Sequence, residues 1–262
     1  MTRPEFRLSN FLLATTALVA ITAAPAWGAD LAPVYKAPIQ PTPFNWTGFY
    51  IGGHIGGAWG DDDWNNVVAS SGASFFGHLG SLSATSALGG FQAGYNLQTG
   101  NWLWGVETSW SWTNLNGEFS SLASTALGGE VNFLASSNNI NWIGDVTGKI
   151  GMTFDRIAWY AGGGAAWSRE KDQLVGTSLT FGGQDVWDGS SYERSGWTLL
   201  TGVEYAFDRH WSARIQYNYY DFGTENVTLT RNPSPQFPLT STFTMDTQLH
   251  VQDVTAAINY RF

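Results

Sequence analysis

From Trp46 to the last residue, apolar side chains recur at every second position in eight separate segments. A repeat of two sends successive side chains to opposite faces of a strand, so each segment has one apolar and one polar face. In GFYIGGHIGGAW, Phe49, Ile51, Ile55 and Trp59 oppose Tyr50 and His54. In ALGGFQAGYNL, Phe91, Ala93, Tyr95 and Leu97 oppose Gln92 and Asn96. In WLWGVETSWSW, Trp102, Trp104, Val106, Trp110 and Trp112 oppose Glu107, Ser109 and Ser111. In INWIGDVTGKIGM, Ile140, Trp142, Val146, Ile150 and Met152 oppose Asn141, Asp145, Thr147 and Lys149. Ile157, Trp159, Ala161, Ala165 and Trp167 form the apolar face of a fifth segment. Trp197, Leu199, Val203 and Tyr205 oppose Glu204 in the sixth, and Trp211, Ala213, Ile215, Tyr217 and Tyr219 oppose Arg214 in the seventh. The last segment, DVTAAINYRF, sets Val254, Ala256, Ile258, Tyr260 and Phe262 against Asp253, Thr255, Asn259 and Arg261.

The links between these segments alternate in length. Short ones lie near 98–101, 153–156 and 207–210, where Gly100-Asn101 and Asp155-Arg156 are turn formers. Long ones, rich in Gly, Ser, Asn and Asp, lie near 60–86, 113–138, 168–194 and 223–248. Such alternation describes an up-and-down meander with the long loops at one end.

Two solvents can meet the apolar face: a protein interior or a lipid bilayer. Trp102, Trp104, Trp159, Trp211 and Tyr260 cluster beside the short turns or the terminus. Trp59, Trp110, Trp112, Trp142, Trp167 and Trp197 cluster beside the long loops. Two aromatic belts around an aliphatic band match the two interfaces of a bilayer. Only 13 % of residues are charged, too few for a solvated outer sheet face. The expected fold is therefore all-β: an eight-stranded antiparallel up-and-down transmembrane β-barrel. Lipid supplies no hydrogen bonds, so the last strand must pair with the first.

Upstream, Arg3 and Arg7 precede an apolar stretch from Phe11 to Ala20 and small residues around Ala24 and Ala26. These are the three parts of a secretory signal, expected over residues 1–28 and removed after export. Pro33, Pro38, Pro41 and Pro43 make 29–44 an extended periplasmic linker. The barrel is expected over 45–262. A net charge of −9 with 12 basic residues excludes a phosphate-binding surface, and so a nucleic-acid partner. The chain has no cysteine and thus no thiolate chemistry.

NWTGFYIGGHIGGAWG, GWTLLTGVEYAFDRHWSARIQYNYYDFG and the aromatic C-terminus resemble the outer-membrane immunogenic proteins and small porin-family barrels of Gram-negative bacteria. WIGDVTGKIGMTFDR resembles the fourth strand and turn of that family. The resemblance implies an OmpA-like eight-stranded barrel in the cell outer membrane, in contact with lipid and lipopolysaccharide. It further implies that Ile258, Tyr260 and Phe262 are read as an assembly signal by the barrel-assembly machinery.

Glu107, Asp145, Lys149, Glu204 and Arg214 share the polar face and form the expected lumen charge network. Glu107 with Lys149, and Glu204 with Arg214, lie on neighbouring strands and are the expected pairs, since a buried lone charge is costly. His54 is the lumen histidine; the serine and acid that would make it catalytic cannot be placed beside it from sequence, and no enzyme activity is expected. His78, His250 and Tyr192 lack ligand spacing for haem or metal, so no cofactor is expected. Asp61-Asp62-Asp63 reads as a solvated loop start without the spacing of a calcium loop. The leading function is structural, a surface antigen that supports the envelope and at most a narrow passive pore. A porin-type channel is the first alternative. Binding of a host-surface ligand or haem at the long loops is the second.

Overall fold

The computed structural model describes residues 44–262 apart from 70–73, 122–132, 179–182, 190 and 232–240. The signal segment, and the linker up to residue 43, lie outside the described residues. Nine strands follow in order: β1 (Gly48–Ala69), β2 (Ser74–Thr99), β3 (Trp102–Ser121), β4 (Phe133–Phe154), β5 (Ile157–Ser178), β6 (Gly183–Asp188), β7 (Tyr192–Ala206), β8 (Trp211–Arg231) and β9 (Ser241–Arg261).

These strands make eight staves of a closed antiparallel barrel. Each of β1 to β5 pairs with the next, β5 pairs with β7, β7 with β8, and β8 with β9. The ring closes where β9 meets β1, from Tyr50↔Arg261 to Ala69↔Phe243. The amide of Phe262 adds a bond to the Phe49 carbonyl at 3.0 Å. Short β6 continues the stave of β7, pairing with the far end of β5 from Gln173↔Asp188 to Ser178↔Gly183.

At the end of the barrel where Trp46 and Phe262 lie, the links are tight. Gly100 (φ +61°) and Asp155 (φ +52°) supply the left-handed residues of two two-residue turns. At the third turn, the Asp208 carboxylate accepts from the amides of His210 and Trp211, both at 2.7 Å. Those two bonds hold its pKa below the ordinary carboxylate value.

At the other end the strands run much further than their apolar faces. A tilted strand needs about 9–11 residues to cross a bilayer, whereas β1, β4 and β5 have 22 each. Most of the expected long loops are therefore strand, a collar projecting past the upper aromatic belt. Asp61, Asp62 and Asp63 correct the expectation of a loop start: they sit in β1, with Asp62 inward and buried and its neighbours outward. Outside a bilayer both sheet faces can be polar, so the alternation of hydropathy that marks a strand fades.

Within the apolar band the expected faces are observed. Phe49, Ile51, Ile55, Phe91, Val106, Val146, Leu199, Val203, Ile215, Val254 and Ile258 are exposed on the outside. Ile140 and Asn141 are exceptions: Ile140 points inward, and Asn141, expected inward, is exposed. A register shift between Ile140 and Trp142, matched by one between Trp112 and Leu115, inserts an extra residue. Ile140 thereby turns into the lumen at 1 % exposure, while Trp142 stays outside.

Candidate functional site

The lumen is filled in layers. At the turn end, Trp46 is completely buried beside Leu103, Ala158 and Ala206. Its indole N–H donates to the Asp155 carbonyl at 2.9 Å, and its amide donates to Gln98 Oε1 at 2.8 Å. Arg261 lies over the Trp46 ring at 4.6 Å. Residues 44–47, just before β1, are thus folded across the barrel mouth as a cap.

Above it lies the charge network, built by inward positions of β1, β3, β4, β7, β8 and β9. Glu107 is its hub. Its Oε2 lies 3.1 Å from Lys149 Nζ and 2.5 Å from Arg214 Nη1, and it also accepts from the Tyr50 hydroxyl. Lys149 Nζ donates to Tyr50 at 2.7 Å and sits between the Tyr50 and Tyr160 rings, 4.8 and 4.7 Å from their centroids. These rings fit because glycines face them. A methyl group at Gly94 would fall 2.6 Å from the Tyr50 ring, and one at Gly202 would fall 2.7 Å from the Tyr160 hydroxyl. Neither glycine has an unusual backbone angle; each is required by close approach.

Arg214 and Glu204 are opposite each other in the β7–β8 register, yet Arg214 forms its ion pair with Glu107 across the lumen. Glu204 takes other partners instead: Ser212 Oγ at 2.5 Å, Asn259 Nδ2 at 3.0 Å and Arg261 at 4.0 Å. The expected Glu204–Arg214 pair is corrected accordingly. Two long side chains reaching inward meet across a barrel this narrow, and strand adjacency alone does not choose the partner. Asp145 has hydrogen bonds from Ser109 at 2.5 Å and Tyr220 at 3.3 Å.

His54 does have a serine beside it. Its Nε2 is 2.8 Å from Ser111 Oγ and its Nδ1 is 2.6 Å from Gln92 Oε1. An amide stands where the carboxylate of a Ser-His-Asp triad would stabilise an imidazolium. Gln92 passes the chain on to Asn259 at 2.7 Å, and Asn259 to Glu204. The histidine therefore joins a hydrogen-bond network that runs from Ser111 through Gln92 and Asn259 to Glu204. Periodicity places Ser111 inward, but its proximity to His54 depends on the β1–β2–β3 register.

Over the polar layer sits an apolar one of Leu88, Leu115, Ile140, Ile143, Tyr220, Phe222, Leu249 and Val251. The sequence pattern does not show it: Ile140 is expected on the outer face, Leu115 in a loop, and the other six residues are assigned to neither face. A void of about 10 Å³ remains at its upper edge, lined by Gly60, Asp62, Leu115, Ile140 and Leu249. That holds at most about one water.

The outer surface carries the two aromatic belts. Trp102, Trp104, Trp159 and Trp211 are exposed near the turns, and Trp112, Trp167 and Trp197 near the collar. Trp110 and Trp142 stack at 4.2 Å in the upper belt. Trp211, Tyr260 and Phe262 form edge-on contacts in the lower belt at 5.0 and 5.2 Å. The profile of the outer membrane protein beta-barrel domain matches residues 14–262. The chain belongs to this outer-membrane β-barrel family. It is 29 % identical over 273 residues to the 31 kDa outer-membrane immunogenic protein of Brucella melitensis, covering 97 % of this chain and 100 % of the relative. To the 22 kDa outer membrane protein of Rhizobium leguminosarum it is 25 % identical, covering 74 % of this chain and 72 % of the relative. Among solved structures, the outer membrane protease OmpT of Escherichia coli superposes with a TM-score of 0.50 at 7 % identity, covering 85 % and 99 % of the two chains. That likeness concerns the fold alone.

The outer-membrane barrel thus presents its apolar band to lipid and its collar beyond the upper belt. The collar has a polar interior of its own. On β5, past Trp167, Glu170 and Asp172 point inward beside Asp62 of β1, and all three are buried. Arg194 Nε lies 2.6 Å from Glu170 Oε2, and Tyr192 donates to Asp172 Oδ2 at 2.6 Å. Trp64 Nε1 donates to Asp62 Oδ2 at 2.7 Å. Burial raises the pKa of Glu170, and burial with the Asp62 charge pushes Asp172 up to about 7. Sequence reading noted Asp62 only as part of a run, since the approach of β1 to β5 across the collar is not local.

The residues considered for haem do not converge. Tyr192 is engaged in this inward cluster, whereas His250 stacks on Tyr219 at 6.1 Å and lies 3.6 Å from Asp221 on the outer surface. His78 belongs to β2, opposite Asn65.

Proposed function

We propose that this outer-membrane barrel acts as a structural and surface-displayed envelope protein with a side-chain-filled lumen, and that it has no enzymatic role. The layered filling of the lumen carries the reading: Trp46 across the mouth, the Glu107 network, then the Leu115–Ile140 layer. An eight-stranded barrel is just wide enough to be filled by side chains. Export by the cleaved 1–28 segment and recognition of Ile258, Tyr260 and Phe262 by the assembly machinery complete the proposal. The immunogenic relatives support surface display of the collar.

A deletion strain tests this reading. Loss of the protein is expected to raise sensitivity to detergents and large antibiotics, without slowing growth on a limiting small solute. Slow growth on such a solute with intact detergent resistance would favour the channel alternative. The collar favours surface-ligand binding as a second reading, because its paired strands run well beyond the upper belt, to Val68↔Ser74 in β1–β2 and Arg231↔Ser241 in β8–β9.

A further inference from the structure

We propose that the outward face of β3, β4 and β5 at the foot of the collar is a docking site for the phosphorylated sugar headgroup of lipopolysaccharide. Strand register sets two rows of side chains there. In the lower row, Trp112 of β3 is opposite Trp142 of β4, which is opposite Arg169 of β5. In the upper row, Asn116 is opposite Asn139, which is opposite Lys171. Trp112, Arg169, Asn116 and Lys171 are exposed, and Trp142 and Asn139 are half-buried on the same face. Neighbouring staves are about 4.8 Å apart, so the two rows form one compact patch. Its height matches a headgroup. Trp167, in the upper belt, precedes Arg169 by two residues and Lys171 by four. At about 3.3 Å per residue and a strand tilt of about 40°, the two cations stand about 5 and 10 Å above the belt. The polar layer begins at the belt and is about 5–8 Å deep, with the sugars of a glycolipid above it.

The side chains match the chemistry of such a headgroup. Arginine and lysine bind phosphate oxygens through charge-assisted hydrogen bonds. Sugar rings carry C–H groups that pack against the negative face of an indole. Amides donate and accept, as sugar hydroxyls do, and Asn139 donates to both Asn114 and Asn116, which fixes the amide row. Among the described residues no ion pair holds Arg169 or Lys171, although Glu193 lies opposite Arg169 on β7. Charge confines docking to this sector. On the other side of the barrel, two residues past Trp59, a row is formed by Asp61, His250 and Asp221, with Asp63 and Asp246 above it. Among the described side chains, the outward arginine and lysine of the collar are Arg169 and Lys171. An anionic headgroup is therefore drawn to β5 and repelled from β1 and β8.

The proposal rests on display of the collar at the cell surface, so binding is measured where that placement plays no part. The full mature chain is refolded in zwitterionic detergent micelles, with purified lipopolysaccharide as the probe. Wild type is expected to bind it about tenfold more tightly than the same lipopolysaccharide stripped of phosphate. Arg169→Gln with Lys171→Gln is expected to weaken binding about tenfold. Arg156→Gln with Arg209→Gln, which removes the same charge at the turn end, is expected to change it less than twofold. Equal losses in the two double variants would overturn the proposal, and so would equal affinity for the stripped probe. Displacement of lipopolysaccharide by phosphatidylglycerol, mole for mole, would overturn it too, because the patch would then take any anionic lipid. Should the Arg169–Lys171 variant fail to fold, wild type decides: lipopolysaccharide is expected to shield Lys171 from an amine reagent, and unchanged labelling overturns the site. Protease added to whole cells reads the placement of the collar separately, since an uncleaved collar with intact binding in micelles would count against surface display and not against the site.

Discussion

Arg214 bonds to Glu107 across the lumen at 2.5 Å, although Glu204 is its in-register neighbour on the adjoining strand. Glu107 is therefore shared by two cations, Arg214 and Lys149, both buried. Removing the shared anion leaves both uncompensated. Glu107→Ala is expected to destabilise the barrel by about 3–5 kcal/mol, measured by urea unfolding in vesicles. Glu204→Gln, which leaves Arg214 its partner, is expected to cost clearly less. Equal costs would show that Arg214 leans on Glu204 after all.

Tyr50 and Tyr160 lie against glycines, and the space is specific to those positions. Gly94→Ala and Gly202→Ala are each expected to cost about 1–3 kcal/mol, the usual range for overpacking. Gly57→Ala is the control, because a methyl there meets nothing within 4 Å. A Gly57→Ala cost as large as the others would mean that strand glycines matter here for backbone reasons alone.

The lipid-facing residues could be read from the sequence because a bilayer imposes one rule on every stave. Phe49, Val106, Val146 and Ile258 obey it and are exposed. The collar could not be read, since β1 beyond Trp59 meets water outside and Asp61, Asp62 and Asp63 give no alternation of hydropathy. The inward turn of Ile140 depends on one extra residue in β4, and because Ile140 and Trp142 are both apolar the shift of phase between them does not show in the sequence. Residue types in the lumen network were legible from strand parity. Their partners were not, because the choice between Glu107 and Glu204 is made by distances across the barrel.

Asp208 tests the turn between β7 and β8. Its two amide bonds lower its folded-state pKa, so its contribution is present above the unfolded value of about 3.9 and is lost as pH falls through the lower folded value. Asp208→Ala is expected to lower the thermal midpoint at neutral pH and to match wild type at strongly acid pH. A deficit that persists unchanged in acid would assign the effect to turn geometry and not to the charge.

Phe262 is 72 % exposed and adds a single backbone bond, to Phe49, to the β1–β9 seam that closes the barrel. Deleting it should therefore barely change the unfolding of barrels already inserted. If the terminal aromatic is read during assembly, the same deletion lowers surface abundance several-fold. Normal surface abundance would remove the assembly role.

Current through single barrels in a planar bilayer tests most directly whether the lumen is filled. The refolded mature chain is predicted to leave the bilayer insulating, and Trp46→Ala, which removes the cap over the Glu107 network, is predicted to add at most brief, low-amplitude openings. A steady ohmic conductance from the wild-type protein would contradict the account and make the barrel a channel.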